Sequence, residues 1–505
     1  MSSKTRPDPQ SAGARPSISA AKRNGGQANL HDGLVLVALM TIVVAQFSMA
    51  LHSYFSVSGL SIILLLNGIM AAFSVVYSFR SNATLFMVSF YFSLVFFSLA
   101  PLQQIAAGWR NIYMEDDVSY LAGAIVFIFT IVGLCALILR NGPRPYALRK
   151  PLDTSLFRRI NSVGTKDLNR LLVAVYVLVV PLILVYNTAL FTSRVYFSLY
   201  AGNLFPRELS ILVFAVLHPF IFIGAATGFI LSLRTGKSLF VILFGVALCL
   251  AFLIYNPLIQ ARFRLSAMIV FFILTYIGWK SSRRIFWFIV IGILTTPLLN
   301  TFRGQYGGDE DVRNISNFFV HMDYDAFTMI CYIMKYVYLS GVDYGLSALS
   351  AFLFFVPRAI WPAKSEHVAK LIFDFLTSNE NLGTDNLSTP PMAEGFFAFG
   401  LIGAVLAIFA FFFLVYRIER RALAAESLSP AVFIACISPM FLFILLRGPL
   451  IVGISEYAGA IAALFMVLFI LGAWKPAMLR TRQSSCTTQK RPPAQRPVHQ
   501  RGIHR

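Results

Sequence analysis

The feature that most limits the fold of this chain is a series of apolar stretches, many near twenty residues long, that contain almost no charged side chain. A helix needs about 20 apolar residues to cross the hydrocarbon core of a bilayer. The runs are uninterrupted and rich in Leu, Phe, Val and Ile, which is typical of membrane helices and not of the alternating strands of a barrel. A mean hydropathy of +0.72 excludes a soluble protein of this length. We therefore predict an all-α polytopic membrane protein.

Twelve of these stretches are predicted to cross the membrane, which places both termini on one side. The predicted spans are Gly33–Leu51, Ser58–Phe79, Ala83–Ala100, Ser119–Leu139, Leu171–Phe191, Leu209–Leu233, Ser238–Tyr255, Leu265–Trp279, Ile285–Leu299, Gly395–Tyr416, Ala431–Leu446 and Gly453–Trp474. The chain then divides into a disordered polar tail (1–32), nine spans (33–299), one large external loop (300–394), three spans (395–474) and a basic tail (475–505).

The charge distribution predicts the orientation, because Lys and Arg accumulate in cytoplasmic loops. With both termini inside, the inner segments carry +24 and the outer segments −4, which together give the net charge of +20. The positive charge is thus explained by topology and by anionic lipid headgroups, and no nucleic-acid partner is implied. We predict a multi-pass protein of the bacterial inner (cytoplasmic) membrane with its N- and C-termini in the cytoplasm.

The external loop contains two apolar segments. Phe318–Val337 has apolar side chains on one helical face, which predicts an amphipathic helix lying in the interface plane. The opposite, polar face carries His321, Asp325, Thr328, Tyr332 and Lys335. Gly345–Pro357 is apolar but too short to cross, and it is interpreted as re-entrant or buried. If both segments crossed, the orientation would be kept with fourteen spans.

The sequence lacks the motifs of several enzyme classes. It contains no Walker A loop, no dinucleotide-binding GxGxxG after a strand, no HExxH and no GxSxG. Nucleotide-driven transport, nicotinamide chemistry and zinc proteolysis are therefore not expected. Asp309–Asp311 and Asp323–Asp325 both spell DxD, but this pattern is short enough to arise by chance, and we predict no metal and no cofactor.

The cations on the predicted outer side of the membrane are few and nearly all arginines, which bind phosphate through two parallel donors. They include Arg194, Arg207, Arg262, Arg264, Arg303, Arg313, Arg358 and Arg447. No acidic residue lies near Arg262 or Arg264 in sequence, so an anionic ligand such as a lipid diphosphate is favoured there. For Arg447, pairing with Glu456 across a short turn is an equal alternative.

Four segments carry a resemblance to a known family. They are Gln260-Ala-Arg262-Phe-Arg264-Leu, Asn300-Thr-Phe-Arg303, Pro357-Arg358-Ala-Ile-Trp361-Pro-Ala-Lys364, and the run from Ser388 through Glu394 to Gly403. In this layout, mainly over residues 255–410, the chain resembles bacterial O-antigen and oligosaccharide repeat-unit polymerases of the Wzy type, which are related to the O-antigen ligases.

The resemblance implies a GT-C-like helical enzyme that moves a growing glycan from undecaprenyl diphosphate to the next lipid-linked repeat unit. Breaking the anomeric C–O bond releases a diphosphate, whose charge fixed cations can stabilise. Arg262, Arg303 and Arg358 are assigned this role, with Arg264 and Arg447 as further substrate-binding candidates.

The acceptor hydroxyl needs a general base, and Glu394 at the lip of a span beside Gly395 is the first candidate. His321 and Asp325 are the other candidates for contact with the acceptor. Trp361 could stack on a sugar ring or belong to the aromatic belt of the membrane interface.

Two other functions stay open. An O-antigen ligase would use the same chemistry, and a flippase or transporter of lipid-linked oligosaccharide would also be nucleotide-free. Transporters usually contain two similar halves and ionisable residues in mid-membrane, whereas the halves here differ and one long external loop breaks the symmetry. The predicted partners are the lipid-linked oligosaccharide, the bilayer and, for a polymerase, a chain-length regulator and a flippase.

Overall fold

The computed structural model describes residues 59–108, 117–142, 163–192, 194–204, 212–256, 259, 262–279, 319–320, 324–377, 387–425 and 429–472. Within these ranges the regular structure is helical, and no strand is present. Eight of the helices described are long and apolar enough to cross a membrane. The predicted class, a helical membrane protein with several spans, is therefore confirmed, whereas the count of twelve spans stays a prediction.

Fourteen helices are described. They are α1 (Gly59–Arg80), α2 (Thr84–Ala106), α3 (Asp117–Asn141), α4 (Thr165–Phe191, ending in a 3₁₀ turn), α5 (Arg194–Leu204), α6 (Val213–Thr235), α7 (Ser238–Ile254), α8 (Arg262–Ile277), α9 (Ala326–Ser340), α10 (Leu346–Phe352), α11 (Val368–Thr377), α12 (Pro391–Ala424), α13 (Pro430–Arg447) and α14 (Leu450–Ile470).

Ten of the twelve predicted spans fall on described helices. The other two, Gly33–Leu51 and Ile285–Leu299, lie outside the described residues. α7 and α8 contain 17 and 16 residues, so each is shorter than the crossing length of about 20 residues.

The centre of the bundle is α2, in which 94% of the most apolar 18-residue stretch is buried. Its neighbours are fastened to it by polar side chains in the apolar interior. Asn67 on α1 donates from Nδ2 to the Phe97 carbonyl at 3.2 Å, inside a π-helical turn of α2, and accepts from Thr130 Oγ1 of α3 at 2.7 Å. Lipid offers no hydrogen bonds, so such contacts between helices give the packing its specificity.

α12 is broken near its start. Phe399 (φ −144°, ψ 25°) and Gly400 (φ 63°, ψ −148°) leave the helical conformation, and only glycine adopts the second pair readily. A Cβ built on Gly395 would lie 2.4 Å from the Gly403 carbonyl oxygen, whereas eight residues of straight helix rise about 12 Å. The first two turns therefore fold back on the rest. The predicted span Gly395–Tyr416 lies on a helix apolar enough to cross, but its start is wrong, because the long helical segment begins after Gly400.

The predicted interfacial helix over Phe318–Val337 is also wrong in extent and in setting. The helix begins at Ala326, and Phe319 and Val320 are not helical. Asp325, Thr328 and Tyr332 of its predicted polar face are buried inside the bundle, whereas Lys335 is exposed. The reason is a pair of buried glutamines on α2.

Gln103 and Gln104 lie next to each other near the end of α2, and both are fully buried. Gln103 Oε1 accepts from the Phe319 amide at 2.6 Å, and Gln104 Nε2 donates to the carbonyls of Phe319 at 3.0 Å and Tyr324 at 3.2 Å. These bonds satisfy the backbone of a buried loop segment and draw the start of α9 into the bundle.

Helix ends predicted to share one side of the membrane do meet. At the end predicted to face inward, called the inner end, Arg140 on α3 and Glu419 on α12 form a buried ion pair with Nη2 and Oε2 at 3.1 Å. Arg140 also donates to the carbonyls of Ser81 and Asn82, and Glu419 accepts from the Leu85 amide at 2.7 Å. This inner clamp (Arg140, Glu419) joins α1, α2, α3 and α12.

Candidate functional site

At the opposite, outer end of the bundle, the short segment Leu387–Pro390 connects two of the residues predicted to be functional. Asp325, which directly precedes α9, accepts hydrogen bonds from the Ser388 amide at 3.2 Å and from the Ser388 hydroxyl. The Thr389 amide donates to the Arg447 carbonyl at 3.0 Å, where α13 ends. Asp325, Ser388 and Thr389 are each at most 2% exposed.

Glu394 completes this group, which we call the outer carboxylate cluster (Asp325, Ser388, Thr389, Glu394). Its Oε1 accepts from Thr389 Oγ1 at 2.8 Å and from the Leu450 amide at 2.6 Å. The side chain is only 4% exposed. Both hydrogen bonds of Glu394 within the described part of the chain go to Oε1, so Oε2 remains able to accept a proton.

The local sequence explains how Glu394 is placed. Pro390 and Pro391 favour a helix start, because proline suits the first helical position and disfavours a helix at the residue before it. Glu394 then lies in the first turn of α12, where a carboxylate interacts favourably with the helix dipole. The break at Phe399 and Gly400 keeps this turn short and at the outer end, instead of making it the first part of a crossing helix.

Arg264 has an acidic partner that sequence distance concealed. Its Nε donates to Glu456 Oε1 at 2.9 Å, and Nη2 contacts the same oxygen. The guanidinium also lies 5.7 Å from the centre of the Phe214 ring. The expectation that Arg264 lacks an acidic partner is therefore wrong. The alternative in which Glu456 pairs with Arg447 is also wrong, because Glu456 pairs with Arg264.

A shell of aromatic residues around this ion pair was missed by the sequence reasoning. His218 Nε2 lies 3.0 Å from Tyr186 Oη, and the His218 ring packs edge-on against Phe214 and Tyr255. His218 is 2% exposed, directly after a π-helical turn over Val213–Leu217. A histidine inside an apolar stretch was the available signal, because ionisable residues in membrane helices are rare.

One helix relates the Arg264–Glu456 pair to the outer carboxylate cluster. The Leu450 amide that binds Glu394 begins α14, and Glu456 lies six residues further along the same helix. Six residues of helix rise about 9 Å. The carboxylate of Glu394 and the ion pair of Arg264 therefore belong to one end of the bundle, less than two helical turns apart.

Arg358 lies in a separate loop. Its Nη1 donates to the Lys364 carbonyl at 2.8 Å and its Nη2 to the Ser365 carbonyl at 3.4 Å, and its side chain is exposed. Trp361 in the same loop is half-buried. All described hydrogen bonds of Arg358 stay within this loop, so they do not join it to Glu394.

Three predicted residues cannot be placed in the site. Arg303 and His321 lie outside the described residues, as does the Asp309–Asp311 motif. Arg262 begins α8, but its side chain is likewise not described. Within the described ranges, no group of three or more His, Cys, Asp or Glu side chains could hold a metal ion.

Comparison with known proteins adds no assignment. No family model matches the sequence, no curated protein matches it, and no solved structure matches the fold.

Proposed function

We propose that the protein is a membrane glycosyltransferase that polymerises undecaprenyl-diphosphate-linked oligosaccharide repeat units. It would transfer the growing glycan to the next lipid-linked unit at the outer face of the bacterial inner membrane. The observation that carries the proposal is Glu394: a buried carboxylate in the short section of α12 before the helix break, held through Oε1 alone within the described residues. Such a group is suited to act as a general base in a site shielded from water.

In the proposed reaction, the acceptor hydroxyl oxygen attacks the anomeric carbon of the growing glycan. The bond from that carbon to the lipid diphosphate breaks, and the diphosphate leaves with the electron pair. Glu394 takes the proton of the hydroxyl. Arg447 is joined to the outer carboxylate cluster through its backbone, because its carbonyl accepts from the Thr389 amide at 3.0 Å. We assign Arg447 to the leaving diphosphate, together with Arg262 and Arg303.

The Arg264–Glu456 pair contributes differently from the original expectation. Its charges largely cancel, so Arg264 is a poor diphosphate ligand while the pair is closed. The proposal therefore treats this pair as a brace that positions α8 against α14. Arg358 is hydrogen-bonded within its own loop. Its contact with the substrate stays a prediction.

The decisive test is deletion of the gene, followed by complementation and electrophoresis of surface polysaccharide. Deletion should leave single repeat units on the acceptor and remove the ladder. Glu394→Gln at normal expression should fail to restore the ladder, and Glu366→Gln, which removes an exposed carboxylate of the external loop, should restore it. A normal ladder with Glu394→Gln would contradict the role of Glu394.

The gel, read together with the location of the lipid-linked units, separates the other candidates. A ligase mutant would lose single units and ladder together. A transporter mutant would trap lipid-linked units inside the cell. The transporter is favoured by one observation, the break in α12, because broken helices line the substrate sites of many transporters.

A further inference from the structure

The short helix α10 in the external loop has the polarity of a helix that faces lipid. Its large apolar side chains point outward at a spacing of three residues, whereas small residues pack inside. The exposed residues are Leu346 (40%), Leu349 (49%) and Phe352 (63%), and the buried ones are Ser347, Ser350 and Ala351. In water the opposite arrangement is stable, because burial of large apolar side chains is favourable.

Both ends of α10 have their free backbone groups bound by charged side chains. At the start, Asp343 accepts from the Gly345 amide at 3.0 Å and from the Ser347 amide at 2.7 Å. After the end, Lys364 Nζ donates to the carbonyls of Leu353, Phe354 and Val356 at 2.9–3.0 Å. Water would satisfy these groups on an exposed helix, but hydrocarbon would not, and an unsatisfied group there costs several kcal/mol.

Lys364 is itself unusual for an external loop. It is 8% exposed, whereas lysines are almost never buried unless their charge is compensated. Its place beyond the C-terminal end of α10 lets it interact with the negative end of the helix dipole, as Asp343 does with the positive end. Asp343 and Lys364 are thus bound to the backbone of the segment, and the exposed Arg358 donates to the carbonyls of Lys364 and Ser365 where the chain returns.

The start of α10 lies beside the break in α12, and both helices expose large apolar side chains. Gly345 packs against the Phe399 ring, and the Asp343 amide donates to the Phe397 carbonyl at 3.1 Å, so α10 begins beside the break in α12. Beyond that break, α12 carries the exposed stripe of a membrane span, formed by Ile402 (72%), Leu406 (60%), Phe409 (55%) and Phe413 (63%). Phe355 (67%) and Ile360 (76%) extend the apolar exposure past α10.

From these contacts we infer that residues 343–364 form a hairpin that inserts into the outer leaflet of the bilayer and binds lipid acyl chains. The seven residues of α10 rise about 10 Å, one third of a hydrocarbon core of about 30 Å, so the segment does not cross. The Ser365 amide bonds to Ser350 Oγ at 3.1 Å, which brings the returning chain back beside the helix. This inference does not depend on the proposed enzyme activity.

Photo-crosslinking tests the lipid contact. A benzophenone amino acid is placed at Phe352, the full-length protein is reconstituted in vesicles of phosphatidylethanolamine and phosphatidylglycerol, and lipid adducts are measured by mass spectrometry after irradiation. Ile402 on the exposed stripe of α12 is the matched positive control, and exposed Lys370 is the negative control. Position 352 should give a yield similar to that at 402 and on the order of tenfold above that at 370, because acyl chains exclude water.

Other products would overturn the inference. A yield at 352 equal to that at 370 would place the hairpin in water, and a crosslink to a second copy of the chain would mark an oligomer interface. Leu349 is the second labelling position if the variant at 352 does not accumulate.

Cysteines at Ser340 and Glu366 test the return of the chain. In intact cells both should react with a membrane-impermeant thiol reagent above the background of the parent protein. Reaction at only one of them would mean that the segment crosses.

Discussion

The two ends of the bundle bury carboxylates in different ways. At the inner end, both oxygens of Glu419 are bonded, one to Arg140 and one to the Leu85 amide, and the side chain is fully buried. At the outer end, Glu394 is almost as buried, yet both its described bonds go to Oε1. The charge of Glu419 is neutralised by Arg140, whereas Glu394 is held only by neutral hydrogen-bond donors among the described residues.

This difference distinguishes a structural charge from a candidate catalytic one. A buried ion pair with both partners fixed holds helices in register, and its loss destabilises the fold. A buried carboxylate without a paired cation is costly to keep, and such groups concentrate at functional sites. The helix break beside Glu394 strengthens the contrast, because α12 is continuous where it carries Glu419.

The largest expected effect is on the outer carboxylate. Glu394→Gln keeps an Oε1 acceptor for Thr389 and Leu450, so the melting temperature of the purified protein should hardly change. The rate of glycan extension from a lipid-linked repeat unit should fall by about 10²–10⁴-fold, the usual contribution of a general base. A large loss of thermal stability with an unchanged rate would reverse the roles of the two carboxylates.

The inner clamp should behave in the opposite way. Glu419→Ala leaves Arg140 buried without its anion, at a cost of about 3–5 kcal/mol in the free energy of unfolding. Thermal unfolding in detergent micelles measures this loss. The double variant Arg140→Met with Glu419→Leu should recover most of the stability, because it removes both charges together. If the double variant were as unstable as the single one, the charge pair would not be the source of the effect.

The fold-back of α12 depends on two glycines in contact. A Cβ added at Gly403 would lie 2.0 Å from the Gly395 carbonyl oxygen, so Gly403→Ala must separate the two segments. We expect a cost of about 1–3 kcal/mol, as for overpacked cores, together with lower activity because Glu394 moves. Gly245→Ala is the control, since its nearest neighbour is the Phe229 ring at 3.6 Å. Equal stability of the two variants would argue against the fold-back.

Lys364 is predicted to matter as a cap rather than as a ligand. Lys364→Met leaves the carbonyls after α10 without their donor, at a cost of about 1–3 kcal/mol. Lys370→Met is the control: it makes the same substitution in an exposed ion pair and should leave the melting temperature unchanged. The two melting curves, measured in the same vesicles, test whether the buried lysine contributes to stability and the exposed one does not.

The smallest effect is expected for Glu366, which is exposed and bonded to Lys370 Nζ at 2.8 Å. The hydrogen bond from Lys370 lowers the pKa of Glu366 below the ordinary carboxyl value. A lowered pKa in the folded state means that any stabilisation is present at neutral pH and is lost as the pH falls through the carboxyl range. Solvent screens this pair, so Glu366→Gln should follow the parent in melting temperature at pH 7. A clear drop would show that surface charge also supports the loop.

Much of the fold was predictable because hydrocarbon imposes a strong rule on sequence. Apolar stretches near 20 residues located the described spans, and the alternation of the predicted spans placed the helix ends of Arg140 and Glu419 on one side, where they meet. The site was less predictable. Asp325 and Glu394 were found as acidic residues in the external loop, but their common anchor at Ser388 and Thr389 was not.

The failures share one cause, which is pairing across long sequence distances. Arg264 meets Glu456 across 192 residues, and Gln104 binds Phe319 across 215. Neither contact leaves a periodic pattern in the sequence. His218 is different, because its place inside an apolar stretch was a local signal, and only its partner Tyr186 on another helix was not predictable.

The sequence by itself determined that this chain is a helical membrane protein, because transfer of apolar side chains into lipid depends on composition and length alone. It also marked where charge is concentrated and where the chain leaves the apolar stretches. Only the tertiary structure decided which charges are neutralised, where α12 breaks and which carboxylate keeps an oxygen available. Those properties depend on hydrogen bonds of about 3 Å between residues far apart in the chain. A hydrogen bond exists only at such a distance, whereas the hydropathy of a segment does not depend on which residues lie near it.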